Sequence, residues 1–217
     1  MKPTLRTTLT VAVLLFLGLA AITSGIMRMG MLGDSMSTGQ LPTEIIDLRY
    51  ALHPYLSALH VIPGIIFVLS GPLQFIPLIR RKAPWLHRWF GRIFIVSGVI
   101  AAVSSILMCL IFPAYGGIWT TLASLTFGSA MMFTLFKGYR AIMHRDISRH
   151  RAWMIRSFAI GLSVSTIRLF FVLQDILLGS DLDASFASSF WTGFIVNMLV
   201  AEVILFLTSR RSNSAVA

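Results

Sequence analysis

The sequence predicts an all-α polytopic transmembrane helix bundle with six spans and both termini in the cytoplasm. Hydrophobic residues make up 56% of the 217 residues and charged residues only 12%, whereas a soluble domain carries about 25% charge. Six apolar runs approach the roughly 20 residues that cross a bilayer core. Fifteen of the 18 Lys and Arg fall in segments on one side of this topology. The positive-inside bias makes that side the cytoplasm.

The apolar runs define a single transmembrane domain over residues 1–217. Its spans are predicted at about residues 9–27, 56–79, 93–113, 119–138, 157–178 and 190–208. The first run follows Lys2 and Arg6, so a signal peptide is the alternative to a first helix. We favour the helix, because no small-x-small cleavage site follows the run. Residues 28–55 are expected to form an exterior loop with a short interfacial helix near residues 43–52.

Prolines and small residues punctuate the later spans. Pro54 suits the first position of the second span. Pro72 cannot donate to the carbonyl of Val68, so we expect a bend near residues 70–72. Residues 115–117 predict a tight exterior turn. Two small-xxx-small pairs predict close helix contacts: Gly98 with Ala102, and Ser124 with Gly128.

The stretch 80–92 carries five cations and two tryptophans and orients the chain, since such residues collect at the cytoplasmic interface. A similar motif follows 63 residues later. It repeats His87-Arg88 and Arg92 as His150-Arg151 and Arg156. We therefore predict two similar hairpins placed side by side. A basic cytoplasmic face attracts anionic lipid headgroups, so the net charge of +10 indicates lipid, and not nucleic acid, as the partner.

One set of residues resembles a known family. The residues that carry the resemblance are His60, Gly71-Pro72-Leu73-Gln74-Phe75, His87-Arg88, Gly91-Arg92, His150-Arg151, Trp153-Met154, Arg156 and Arg168. They resemble an uncharacterised family of multi-pass bacterial membrane proteins. The resemblance implies a protein of the bacterial inner membrane with no settled activity. The helix layout is also similar in architecture to the small b-type haem cytochromes, a likeness that says little about function.

The sequence contains none of the common phosphate, dinucleotide or metal signatures. The single cysteine, Cys109, excludes a disulfide within the chain and sites that need several thiolates. We identify no catalytic residue, because no nucleophile and base occur at a recognisable spacing. The composition therefore favours a membrane protein that is not an enzyme and that holds no metal ion in a protein-ligand site.

Polar residues within the spans indicate a small-molecule or ion transporter or a ligand-binding membrane protein. They are Arg168, Glu202, Asn197 and Gln74. A charged side chain at that depth must face protein or water. We predict a contact between Arg168 and Glu202, direct or through one water, next to Pro72 and completed by Asn197 and Gln74. The alternative is a purely structural membrane subunit, because a buried ion pair can simply fix helix packing.

A haem-binding membrane cytochrome is the second functional hypothesis. Two histidines at similar depth on separate helices could hold a haem b, and His87 with His150 is the pair that meets this condition. His60 is expected near the opposite face, across most of the roughly 30 Å core. The plain alternative for His87 and His150 is interfacial anchoring beside lipid phosphates.

The orientation can be tested with reporter fusions. We expect the loops 80–92 and 139–156 and both termini to be cytoplasmic, because the opposite orientation would place the cations of both loops outside. A reporter fused after Arg88 should be active only in the cytoplasm. Periplasmic activity of that fusion would contradict the orientation.

Overall fold

The computed structural model describes residues 5–112, 114–179 and 182–214, and these residues form eight α-helices. The helices are α1 (Leu5–Thr38), α2 (Ile45–Leu52), α3 (Pro54–Gln74), α4 (Pro77–Lys82), α5 (Pro84–Ile111), α6 (Gly117–Met143), α7 (Ile147–Leu178) and α8 (Leu182–Ser214). Six of these, α1, α3, α5, α6, α7 and α8, are long and apolar enough to cross a membrane. The all-α multi-pass architecture is thereby confirmed.

The helices extend well beyond the predicted spans. α5 begins at Pro84 and α7 at Ile147, so the two polar loops predicted around the His-Arg motifs are largely helical. Pro84 occupies the first turn of α5, where its missing N–H costs nothing. Asp146 caps α7 by accepting a hydrogen bond from Arg149 N at 3.0 Å. This bond and one from the Ser148 hydroxyl hold the pKa of the Asp146 carboxyl below its usual range.

The first span is longer than predicted, and the exterior loop is correspondingly shorter. α1 continues to Thr38, so Arg28 lies on a helix and not in a loop. Its side chain forms an ion pair with Asp47 of α2. This partner offsets the charge of an arginine on a membrane-spanning helix. Gly39, at φ 72°, ends α1 in the left-handed conformation that glycine tolerates best. The short helix predicted within residues 43–52 is confirmed by α2.

The second predicted span is divided in two. α3 begins with Pro54 at its first turn, as predicted. It ends at Gln74, and α4 begins at Pro77. Phe75 N donates to Pro72 O at 3.1 Å, and Ile76 N donates to Leu73 O at 3.3 Å. These bonds between residues i and i−3 end α3. The bend predicted at residues 70–72 stays a prediction.

The tight turn predicted between α5 and α6 is confirmed. Gly116 and Gly117 have φ values of 78° and 73°, which favour glycine because a side chain would clash with the backbone there. Pro113 lies outside the described residues, and so does Asp181 between α7 and α8. The close helix contact predicted at Gly128 agrees with the structure, since a Cβ on it would lie 3.1 Å from Ile106 Cγ1 and 3.7 Å from Ala102 O, both on α5.

Four helices form the centre of the bundle. α3, α5, α6 and α7 pack in a ring in which each contacts its neighbours, with α3 also contacting α7. α1 lies against α3 and α7, and α8 lies against α6 and α7. His87 and His150 are each the fourth residue of their helix, α5 and α7. The two hairpins, α3 with α5 and α6 with α7, therefore carry their motifs at matching positions, and their superposition stays a prediction.

Phe67 lies where three of the central helices meet. Its side chain is 2% exposed and stacks on Phe94 of α5, with ring centroids 4.2 Å apart. Two glycines make room for the ring. A Cβ added to Gly98 would lie 2.7 Å from Phe67, and one added to Gly161 would lie 2.3 Å from it. Close packing of α3 against α5 and α7 therefore depends on these two positions.

This packing predicts that Gly161→Ala destabilises the protein. The added methyl group would overlap the Phe67 ring, and overpacking of this kind costs about 1–3 kcal/mol of the free energy of unfolding. Thermal unfolding in detergent measures the change. Gly30→Ala is the matched control, because nothing lies within 4 Å of the added methyl group. Equal melting temperatures for the two variants would contradict the packing role of Gly161.

Candidate functional site

A cavity of about 410 Å³ lies between the helices, at the end of the bundle where α1 connects to α2 and α5 to α6. Its walls come from all six long helices and α2. Most of the lining is apolar, with phenylalanines from three helices and the turn after α5. These aromatic residues are Phe67, Phe112, Phe127, Phe186, Phe190 and Phe194. The volume falls in the range of about 300–1,000 Å³ that is typical of small-molecule sites.

Three arginines line this cavity: Arg28, Arg49 and Arg168. They come from α1, α2 and α7. They are also the three cations that the sequence places outside the basic segments predicted to be cytoplasmic. The three cations that lie outside the basic segments therefore all line the same cavity.

The arginines differ in what surrounds them. Arg28 pairs with Asp47, and its guanidinium lies 4.2 Å from the centre of the Tyr50 ring. Arg49 lies 5.9 Å from the centre of the Tyr115 ring. Arg168 donates to Val164 O of its own helix at 2.8 Å. Within the described ranges, no carboxylate lies at ion-pair distance from Arg168, so its charge is balanced by no acidic side chain there.

His60 lines the cavity from α3. Its Nδ1 lies 2.9 Å from Ala101 O and 3.3 Å from Ser104 Oγ, both on α5. The bond to the carbonyl requires a proton on Nδ1, which leaves Nε2 as an acceptor when the ring is neutral. His60 and Arg168 are close enough to interact electrostatically. The sequence placed His60 correctly on the far side from His87 but did not predict its neighbours.

Thr120 adds a hydroxyl group to the cavity wall. The residue is 1% exposed, and its Oγ1 has no hydrogen-bond partner among the described residues. A buried hydroxyl without a partner costs about 1–3 kcal/mol. A polar atom of a ligand would remove this cost.

The predicted contact between Arg168 and Glu202 is wrong. Glu202 instead accepts two hydrogen bonds from Arg156, Nε to Oε1 at 2.5 Å and Nη2 to Oε2 at 2.8 Å. This two-point geometry matches a guanidinium to a carboxylate. Arg156 is therefore the partner that compensates Glu202 within α7 and α8.

The pairing of α7 with α8 explains the correction. Asn197 donates to Ser163 Oγ at 3.1 Å and to Thr166 Oγ1 at 2.8 Å. Because the helices are antiparallel, Glu202, five residues after Asn197, lies opposite residues of α7 that precede Ser163 and Thr166 by a similar number. Arg168 then lies about 15 Å along α7 from the residues opposite Glu202, at 1.5 Å per residue. The predicted depths of Arg168 and Glu202 were wrong because they were counted from the ends of the predicted spans, and the helices extend beyond those ends.

Asn197 and Gln74 do not join one cluster either. Asn197 connects α8 to α7 as described, and Gln74 lies at the end of α3. The Gln74 Oε1 atom is 3.4 Å from the position of a Cβ on Gly91 of α5. The four predicted polar residues therefore belong to separate places, and Arg168 is the one that lines the cavity.

The His-Arg motif residues lie at the other end of the bundle. His87 and His150 interact electrostatically, and the side-by-side placement of their motifs stays a prediction. His150 Nδ1 lies 2.9 Å from Gly138 O of α6. Arg88, Arg92 and Arg151 are exposed. No group of three metal-binding side chains occurs in the part of the chain that the structure describes, and haem binding by the two histidines stays a prediction.

Sequence reasoning missed Arg28, Arg49, Tyr50 and Thr120 as lining residues. A signal for two of them was present: Arg28 and Arg49 stood out, with Arg168, as cations off the basic side. Interpreting residues 28–55 as an exterior loop removed them from consideration. The contacts of Tyr50 and Thr120 depend on tertiary packing and leave no pattern in the chain.

The fold and the cavity define a polytopic α-helical membrane protein with an internal, cation-lined cavity. The model of a family described as "Predicted membrane protein (DUF2306)" matches residues 57–205. The match covers more than half of the chain, so the protein belongs to this family, as the resemblance in its motifs indicated. Comparisons with curated proteins and with solved structures gave no match.

A double-mutant cycle tests the corrected pairing. Removing Arg156 or Glu202 alone leaves the other charge unpaired, so Arg156→Leu and Glu202→Leu should be non-additive, with a coupling of about 0.5–3 kcal/mol in the free energy of unfolding. The control cycle combines Glu202→Leu with Arg168→Leu and should be additive within about 0.5 kcal/mol. A stronger coupling in the control cycle would contradict the assignment.

Proposed function

We propose that this membrane protein binds a small amphipathic organic anion in the cavity, as a transporter or a ligand-binding protein. The ligand class has an apolar body and a carboxylate-like head. The convergence of Arg28, Arg49 and Arg168 on a mostly apolar cavity is the observation that carries the proposal.

The cost of burying cations supports an anionic ligand. A charged side chain within a span costs about 2.5–3.5 kcal/mol on insertion scales, and such residues usually mark functional sites. Arg28 is compensated by Asp47. Arg168 has no acidic partner within residues 5–112, 114–179 and 182–214. A carboxylate on the ligand would supply that partner, with two parallel hydrogen bonds to the planar guanidinium.

The aromatic wall supports an apolar body. Phe127 stacks on Phe194, with ring centroids 4.2 Å apart, and Phe190 lies beside Phe186 at 4.9 Å. These rings line one side of the cavity. Burial of apolar ligand surface contributes roughly 25 cal/mol per Å², so the wall provides affinity while the arginines select the charge.

The predicted orientation gives the source of the ligand. The cavity lies toward the end of the bundle that carries α2 and the α5–α6 turn. The positive-inside bias makes that end exterior. We therefore expect the ligand to enter from the exterior or from the outer leaflet.

Haem binding by His87 and His150 is the alternative function. The 410 Å³ cavity is lined by neither residue, so it provides no haem pocket for them. Protein purified from haem-replete cells should accordingly show no Soret band. A Soret band that disappears in His87→Ala and His150→Ala would establish the cytochrome function instead.

Quenching of tryptophan fluorescence tests the anion proposal. The Trp191 ring lies 5.7 Å from Phe127, which lines the cavity. A bromine-labelled octanoate should therefore quench the fluorescence of the nanodisc-embedded protein saturably. The corresponding bromine-labelled octanol should quench more weakly, because it has no charge for the arginines. Arg168→Leu should weaken octanoate binding about tenfold to a hundredfold, the value of a charged hydrogen bond.

Two variants serve as controls. Arg140→Leu removes an equal charge from an exposed position on α6, at the end of the bundle that carries the His-Arg motifs. It should leave octanoate binding unchanged. Arg168→Lys keeps the charge and should retain part of the affinity. Equal quenching by octanoate and octanol, in both wild type and Arg168→Leu, would refute the proposal and leave a cavity that takes lipid tails without selecting charge.

A further inference from the structure

Among the described residues, two buried polar atoms at the opposite end of the bundle have no hydrogen-bond partner. They are Gln74 Nε2 and His87 Nδ1. Both can act as hydrogen-bond donors. Leaving a buried donor unpaired costs about as much as a lost hydrogen bond, so two of them on neighbouring helices call for an explanation. We infer that they belong to a binding site for a phosphate group, formed by Gln74, His87 and His150.

The three residues lie on α3, α5 and α7, at the same end of the bundle. Gln74 is the last residue of α3, and its Oε1 lies 3.4 Å from the Cβ position of Gly91. Gly91 follows His87 by one turn on α5, so both residues are on the same face of that helix. His150 of α7 is close enough to His87 to interact with it electrostatically. The Gln74 amide therefore lies beside the face of α5 that carries His87.

The charges around this site favour an anion. Arg80 and Arg88 both act electrostatically on His87. The ion pairs in the described ranges are Arg28–Asp47, Arg149–Asp146 and Arg156–Glu202, so neither Arg80 nor Arg88 is paired with a carboxylate there. His87 also lies in the first turn of α5, where the helix dipole favours negative charge. The cations and donors at this site therefore favour a negatively charged group.

Phosphate suits this set of groups better than a metal ion. The Gln74 amide nitrogen donates and cannot ligate a metal ion, and the neighbouring arginines would repel one. His150 Nδ1 donates a hydrogen bond to Gly138 O. This bond sets the orientation of the ring and therefore of its Nε2. A phosphate group accepts hydrogen bonds on several oxygens and pairs well with guanidinium. The source of the group is either the headgroup of an anionic phospholipid or free phosphate.

Modification of His87 by diethyl pyrocarbonate tests the site in the wild-type protein. The rate is followed by peptide mass spectrometry in detergent, with inorganic phosphate or short-chain phosphatidylglycerol as the probe, and with chloride at equal ionic strength as the reference. We expect a bound phosphate group to protect His87. His144, which is exposed, should react equally in every sample and reports on the reagent. Protection by both probes indicates a site for phosphate from either source, and protection by phosphatidylglycerol alone indicates a headgroup.

Two variants separate the site from general charge effects. Gln74→Leu keeps the approximate side-chain size but removes the donor, and should weaken protection of His87 about tenfold. Arg81→Gln removes a cation from the same exposed stretch and should leave protection unchanged. If neither probe protects His87 in the wild-type protein, the inference is overturned. Equal protection in wild type and Gln74→Leu would overturn it as well.

Discussion

The packing of Phe67 against glycines is the interaction on which the rest of the structure depends. The ring lies among α3, α5 and α7, where Gly98 and Gly161 leave the space that it occupies. It contributes both to the buried core and to the wall of the cavity. Close contact of the helices at this level separates an aromatic, arginine-lined cavity at one end from the His-Arg motifs at the other. A protein with a looser centre would not keep these two polar regions apart.

The bilayer imposes the second constraint, because each cation within it must be compensated. Arg156 is compensated by Glu202 on the neighbouring helix, and Arg28 by Asp47. These pairs hold neighbouring helices together and offset the charges of Arg156 and Arg28. Arg168 differs, since its described hydrogen bond goes to a backbone carbonyl of its own helix. The same physical rule therefore separates structural arginines from the one that best fits a ligand.

The positions of the spans could be predicted from the sequence, whereas the ends of the helices could not. Apolar runs of about 20 residues determine where a chain crosses a membrane. Arginines at the headgroup level are compatible with both a loop and a helix, because their long side chains reach the interface from either. This ambiguity hid the helical nature of the residues around His87 and His150. It also concealed that α1 continues beyond Arg28.

The composition of the cavity was partly predictable, but its geometry was not. Arg168 was expected to be functional because charge is expensive inside a span. Its partner was assigned wrongly because the register of α7 against α8 is set by contacts such as those of Asn197. Periodicity within one helix carries no information about such contacts. The unpartnered hydroxyl of Thr120 likewise becomes visible only once the helices are packed.

Modification of Cys109 tests whether the cavity inside the bundle is positively charged. Cys109 is the single cysteine of the chain, and it lines the cavity. Its rates of modification by an anionic and a cationic methanethiosulfonate reagent can be compared, each divided by the rate with a free thiol. The account predicts that the anionic reagent reacts faster, and that Arg168→Leu reduces the difference. A faster reaction with the cationic reagent would contradict it.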